Sequence, residues 1–252
     1  MLSKRHTEIL RLLSEEGTIT IADLAARLSV SLETVRRDVR PLTQSGAVQK
    51  MHGAVGLAGQ LGEAPFQRRM REHADAKRAI ARTMAGMIRD GDSIMLDTGT
   101  TTSFVARELL GHRRLTVVTN SSDIARTLAT VNGNRVYMAG GELRSDSGAA
   151  FGVSAIEFIA KFSVAHAIIS AGAVHAEAGV MDYDLEEAEF ARMVLSRGER
   201  THVVTDRSKF GRRGLVSVCG FSGIDHLVTD AAPDAEIATA LETAGGRLML
   251  PA

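Results

Sequence analysis

The chain has 252 residues, 44% of them apolar and 24% charged, with 30 Lys and Arg balanced by 30 Asp and Glu. Those figures exclude a disordered or fibrous protein and leave room for one large α/β unit plus a small accessory domain. No apolar run is long enough to cross a bilayer and MLSKRHTEIL holds no signal-peptide core, so a cytoplasmic protein without a membrane partner is expected. Net neutrality still permits DNA binding, which depends on where the charge is placed. The single cysteine, Cys219 in LVSVCGF, cannot form an internal disulfide and reads as a buried core thiol. The eight histidines are scattered without ligand spacing, so neither a metal nor another cofactor is expected.

Three helices open the chain. Leu2, Ile9, Leu10 and Leu13 share one helical face, and Gly17 is the stop. Thr20 caps a second helix, answered by Asp23 as in a capping box, with Ile21, Leu24, Ala25 and Leu28 as its apolar stripe. After a turn at Ser29 and Val30, Ser31 caps a third helix that is expected to bury Leu32, Val35, Val39 and Leu42. Helix, helix, short turn and helix is the order of a helix-turn-helix module. At 100° per residue the face opposite the third stripe centres on Arg37, with Glu33 and Thr34 beside it and Arg36 and Arg40 on its rims. A guanidinium forks onto guanine, a threonine methyl meets a thymine methyl, and Ser31, Arg36 and Arg40 suit phosphates. A solvated basic helix face is the plainer reading of any one such helix.

The following AVQKMHGAV reads as a strand, a turn at Gly53 and a return strand. Such a wing places Lys50 and His52 near a DNA backbone; a positively decorated surface hairpin is the alternative. Arg5, Ile9, Leu13, Ser31, Thr34, Val35, Arg36, Arg37, Asp38 and Val39, followed by KMHGAV, stand at the spacing of DeoR-type bacterial transcriptional regulators, and the segment resembles that family's DNA-binding domain. Pro41 departs from the family pattern. It lacks the amide that would bond the carbonyl of Arg37, so a kink or an early end of the third helix near Arg40 is expected.

The domain boundaries follow composition. Residues 1–57 form the winged helix-turn-helix, the Gly- and Ala-rich stretch opening 58–73 reads as a linker, and 74–252 is a second domain for effector binding and oligomerisation. Its first helix presents Ala79, Ile80, Met84, Met87 and Ile88 inward. Then SIMLDTGT, LTVVTNSS, RVYMAGGE, HAIISAGA, THVVTDRS and HLVTD are apolar runs ending in small or polar residues, read as parallel strands buried on both faces. Helices are expected at 101–110, 121–131, 153–162, 186–197 and 234–244. This alternation implies an α/β doubly wound, mostly parallel sheet, in which ligands bind outside the carboxyl ends of the strands.

The polar residues lie at those ends. After SIML the chain turns at Asp97, Thr98 and Gly99, and a helix begins with Thr100, Thr101 and Thr102, so that unbonded amides and hydroxyls converge on a point suited to a phosphate. A hydroxyl cap by Thr100 alone is an equal alternative. Thr119, Asn120 and Ser121 repeat the arrangement on another strand. Gly140 and Gly141 allow close backbone approach, Glu142 accepts from sugar hydroxyls, and Asp206 with Lys209 supplies an acid and a cation.

D-x-G-T-T, T-N-S, G-G and D-x-S-K-F in this order are similar to the sensor half of DeoR-type regulators. The resemblance implies a fold related to ribose-5-phosphate isomerase and glucosamine-6-phosphate deaminase, and a phosphorylated sugar or polyol as effector. Within the family it points to the glycerol-3-phosphate-responsive branch. The resulting expectation is a DNA-binding repressor of a carbohydrate or polyol operon, acting on a double-stranded operator as a homodimer or homotetramer. The alternative is an isomerase- or deaminase-like enzyme fused to a DNA-binding module. That enzyme needs an acid after the central G-A, where this chain has Val174, which cannot abstract a proton; no catalytic residue is assigned. A third reading, a constitutive DNA-binding protein whose large domain only dimerises, leaves the polar strand ends unexplained.

Overall fold

The computed structural model describes residues 4–16, 18–51, 54–57 and 64–251, so the roles expected of Leu2, Gly17, His52 and Gly53 lie outside the described residues. The chain divides into two compact units, Met1–Ala64 and Pro65–Ala252.

The first unit runs α1 (Lys4–Glu16), β1 (Thr18–Thr20), α2 (Ile21–Arg27), α3 (Leu32–Gln44), β2 (Val48–Met51) and β3 (Ala54–Leu57). Local chemistry sets the helix starts. Thr20 Oγ1 accepts the Asp23 amide at 3.0 Å and donates to its carboxylate at 2.7 Å, and Ser31 Oγ accepts the Thr34 amide at 3.2 Å. Ile9, Leu13, Leu24, Val35, Val39 and Leu42 close one core. Strands β2 and β3 form the expected antiparallel hairpin, and β1 adds a third strand beside β3. The Arg5 guanidinium pairs with the Asp38 carboxylate across 33 residues. Its hydrogen bond holds Asp38 below the usual carboxylate range, so these two residues tie α1 to α3.

Two expectations for α3 are corrected. The helix does not end near Arg40; it continues through Pro41 to Gln44, and the Ser45 amide bonds the Pro41 carbonyl at 3.0 Å. Pro41 and Arg37 are both exposed, so the Arg37 carbonyl left without an amide can turn to water while Val39 and Leu42 hold the other side in the core. Leu32 is not buried: it shares the face of Val35, Val39 and Leu42, but it is the first residue of the helix and is 46% exposed, outside the core they form.

The second unit begins with α4 (Phe66–Arg69), inside the stretch expected to be linker. Phe66 is buried and its amide donates to both Asp146 carboxylate oxygens, at 3.1 and 3.0 Å. Residues 66–73 are therefore seated turns of this unit; burial of Phe66 overrides the linker-like composition before it. There follow α5 (Ala74–Ala85), β4 (Ser93–Leu96), α6 (Thr100–Glu108), β5 (Thr116–Thr119), α7 (Ser122–Leu128), β6 (Arg135–Met138), α8 (Val153–Ile159) and β7 (Val164–Ser170). The remainder is β8 (Ala173–His175), β9 (Gly179–Asp182), α9 (Leu185–Ser196), β10 (Gly198–Val204), β11 (Val216–Cys219), β12 (His226–Val228), α10 (Ala235–Thr243) and β13 (Arg247–Met249).

A seven-stranded sheet has the order β13-β12-β10-β7-β4-β5-β6, every pairing parallel. Alternate side chains go to opposite cores. Met95, Val118, Ala167 and Val203 join Phe190 and Val194 of α9, whereas Ile94, Leu96, Val117 and Val204 join Ile80 and Met84 of α5 and Val105 of α6. Strands β6 and β13 are exceptions to burial on both faces, since they form the sheet edges and their side chains are half-buried or exposed. The small antiparallel sheet β11-β9-β8 has no counterpart among the expected strands. Cys219 at its edge is half-buried rather than buried, its thiol pushed up to about 11 by desolvation.

The strands also carry a polar stack. His166, His202 and His226 face one another across β7, β10 and β12, with ring centroids 5.2 and 5.0 Å apart and His166 Nδ1 3.0 Å from His202 Nε2. Burial lowers all three, His202 to about 3, so the stack is neutral at physiological pH.

Candidate nucleic-acid interface and ligand crevice

Helix α3 presents Glu33, Arg36, Arg37 and Arg40 to solvent, with Thr34 half-buried beside them. Ser31 is engaged as the cap, its Oγ 2.9 Å from Thr34 Oγ1, and Glu33 lies 3.6 Å from Arg36. Arg37 and Arg40 are the other exposed cations of the face. Lys50 is exposed on β2.

In the second unit the strand order brings some of the expected ligand residues together and leaves others apart. Strand β4 has β5 and then β6 on one side, and β7, β10 and β12 on the other, so the order reverses between β4 and β7. Such a reversal opens a crevice at the carboxyl ends. Asp97, Thr98 and Gly99 follow β4; Thr119 ends β5, with Asn120 and Ser121 after it; Asp206 follows β10, and Lys209 closes the next turn. Gly140, Gly141 and Glu142 follow the edge strand β6 and are exposed.

The loops after β4 and β5 are joined directly, Thr98 Oγ1 donating to Asn120 Oδ1 at 3.0 Å. Asn120 is fully buried, and its Nδ2 donates to the Ala150 carbonyl at 2.8 Å, which ties in the loop before α8. Ser121 caps α7 through the Ile124 amide. Thr100 is not the cap of α6: Gly99 holds that position without a side-chain bond, and Thr100 is the first helical residue. The side chain that steadies this turn is Thr102, whose Oγ1 donates to the carbonyls of Asp97 at 3.1 Å and Gly99 at 3.0 Å. The first-turn amides of α6 are left without a side-chain cap.

Asp97 is 6% exposed, and its Oδ2 accepts the Ser170 amide at 2.9 Å while Oδ1 has no full hydrogen bond. Desolvation pushes its carboxyl up to about 8, against the opposing pull of the Ser170 amide and the Thr102 hydroxyl; Asp182 adds to the rise. Asp97 is therefore mainly neutral at pH 7 and adds little repulsion to an anion in this crevice. Ser103 Oγ and Thr205 Oγ1 are likewise buried without a partner at the same ends of the sheet. Asp206 is buried and accepts the Ser208 amide at 3.0 Å, so it shapes its own turn.

Sequence reasoning missed Ser170, whose side chain lies against Gly99 and whose amide donates to Asp97; the small residues of SAGA at a strand end were the available signal. It also missed Arg144, which spans to Asp184, Glu186 and Glu187 at 2.8, 2.6 and 2.9 Å and lies 4.2 Å over the Phe151 ring. A separate cleft of about 700 Å³, lined by Phe66, Arg107, Ser122, Arg126 and Asp146, takes in none of the strand-end residues.

A helix-turn-helix unit followed by a parallel α/β unit with a polar crevice defines a DNA-binding regulator with its own sensor. Residues 5–60 match the DeoR-like helix-turn-helix domain and residues 72–231 the DeoR C-terminal sensor domain. The chain belongs to the DeoR family. It is 33% identical to the HTH-type transcriptional repressor CsqR of Escherichia coli over 98% of this chain and 95% of that protein. It is 31% identical to the glycerol-3-phosphate regulon repressor of the same organism over 93% of each, and 28% identical to the regulator IolR of Bacillus subtilis over 92% of each. Among solved structures, ribose 5-phosphate isomerase A from Neisseria gonorrhoeae is similar over 54% of this chain and 53% of its own, at 18% identity and a TM-score of 0.40.

Proposed function

We propose that this chain is a repressor released from a double-stranded operator by a phosphorylated sugar or polyol, a three-carbon polyol phosphate being the first candidate. The Thr98–Asn120 hydrogen bond carries the reading, because it holds together the loops after β4 and β5, next to the place between β4 and β7 where the strand order reverses. The α6 amides and the hydroxyls of Thr100 and Thr101 hold the phosphate there, with Lys209 as cation and Glu142 toward the ligand's hydroxyls. A buried Val174 on β8 offers no proton acceptor, which favours sensing over turnover. The relatives named repressors support the direction of regulation, and the glycerol-3-phosphate regulon repressor among them supports the ligand class.

On DNA, Arg37 and Thr34 read base edges, while Ser31, Arg36, Arg40, Lys50 and His52 address the backbone and Glu33 orients Arg36. Two or four copies engage repeated half-sites, since one such module buries little surface. Ligand acts only by its differential affinity for the DNA-competent and released arrangements. Ala150, bonded to Asn120, precedes α8, while Asp146 in the same loop holds the Phe66 amide at the start of this unit, so a change at the cradle is passed to the residues that begin this unit.

Thermal denaturation of the full chain against a panel of sugar and polyol phosphates, each beside its unphosphorylated parent, is expected to give one strong stabiliser that also weakens operator binding. A best stabiliser without phosphate would refute the cradle. Replacing Arg37 by Ala is expected to cost about 1–3 kcal/mol of operator affinity with the thermal midpoint unchanged; an equal loss on random DNA would reassign it to a phosphate.

A further inference from the structure

Helix α3 carries one large apolar side chain that its own fold does not use. Leu32 is 46% exposed, whereas Val35, Val39 and Leu42 behind it are at most 1% exposed, and Leu32 is absent from the core they form. A lone exposed leucine is ordinary on a protein surface. Its position is what gives it meaning, because the first turn of the second helix in a helix-turn-helix is the part that meets base edges in the major groove. The polar groups around it are already engaged with one another: Ser31 Oγ with the Thr34 amide and Thr34 Oγ1, and Glu33 with Arg36. The feature that accepts apolar contact on a major-groove edge is the C5-methyl group of thymine.

We propose that Leu32 packs against a thymine methyl in each operator half-site and is a specificity-determining residue. The contact excludes water from a side chain that the folded protein alone leaves half in solvent, and it selects for T at one position without a hydrogen bond. This rests on α3 being the DNA-reading helix.

The test begins with sites selected from random duplex DNA by the full chain. Each thymine of a selected half-site is then replaced by deoxyuridine, which removes the methyl and keeps the base pair. At one thymine per half-site, loss of the methyl is expected to weaken binding about fourfold, the worth of one buried methyl-sized group. Leu32→Ala should bind thymine and deoxyuridine equally there, and Leu32→Met, which keeps apolar reach, should retain the discrimination. Both variants should keep the wild-type thermal midpoint, the side chain being outside the core. If no thymine shows a methyl dependence, or if Leu32→Ala preserves it, the proposal is overturned. Arg37→Ala separates the two levels: undiminished binding by that variant removes α3 as the reading helix, whereas diminished binding without a methyl effect removes only Leu32.

Discussion

Replacing Gly99 by Ala is expected to abolish stabilisation by the phosphorylated ligand and to lower the stability of the second unit by about 1–3 kcal/mol, the usual range for overpacking. The backbone at Gly99 is extended, so the obstacle is space rather than dihedral strain. A Cβ there would lie 2.0 Å from Ser170 Oγ and 2.7 Å from Ser170 Cβ. The hydroxyl can rotate away, but the Ser170 Cβ is fixed to β7 and cannot. The loop after β4 must therefore lift, which moves Thr98 from Asn120 and turns the α6 amides off their common point. Adding Ser170→Gly should recover most of the stability, since it removes both clashing atoms. Urea unfolding and ligand-induced thermal shift measure the two effects. A Gly99→Ala protein with wild-type stability would mean that Ser170 packs less closely on Gly99 than these distances state.

Asp97→Asn is expected to change the pH profile of stability by about 3 kcal/mol between pH 5 and pH 7. The Asp97 carboxyl is raised to about 8 by burial, far above the value near 4 of an unfolded chain. Over that interval the folded protein keeps a proton that the unfolded chain has released. Its stabilising contribution is fully present below about pH 4 and is lost as pH rises toward 8. Asn keeps an oxygen for the Ser170 amide and has no charge to desolvate, so the variant should gain on the wild type steadily as pH rises. The buried histidine stack titrates in both proteins and cancels in the difference. Urea unfolding at pH 5, 6 and 7 gives the comparison; parallel curves would place Asp97 in a wetter setting than its 6% exposure implies.

The parts legible in the sequence are those governed by local rules. Thr20 and Ser31 cap their helices because a hydroxyl three residues ahead of an amide needs nothing from the rest of the chain. The runs ending at Leu96, Thr119, Ser170, Val204 and Val228 read as strands because strands buried on both faces must be continuously apolar. The edge strand β6 is only half-buried, and β8, β9 and β11 form a separate antiparallel sheet that the reading did not anticipate. Pro41 and Leu32 went the other way for a shared reason. Local preference predicted a break at one and burial at the other, whereas the packing of Val39 and Leu42 carries the helix past Pro41 and the core they form stops short of Leu32 in the first turn.

By itself the sequence determined the two kinds of unit, the capped reading helix with its arginines, and a row of polar strand ends, since each follows from spacing along the chain. Only the tertiary structure decided which of those ends meet. Strand order brings Asp97 beside Ser170, and Thr98 beside Asn120, while Gly140 to Glu142 go to an exposed edge. The elevated carboxyl of Asp97 belongs to the same category, because desolvation is a property of everything packed around a group and no single residue in the chain carries it.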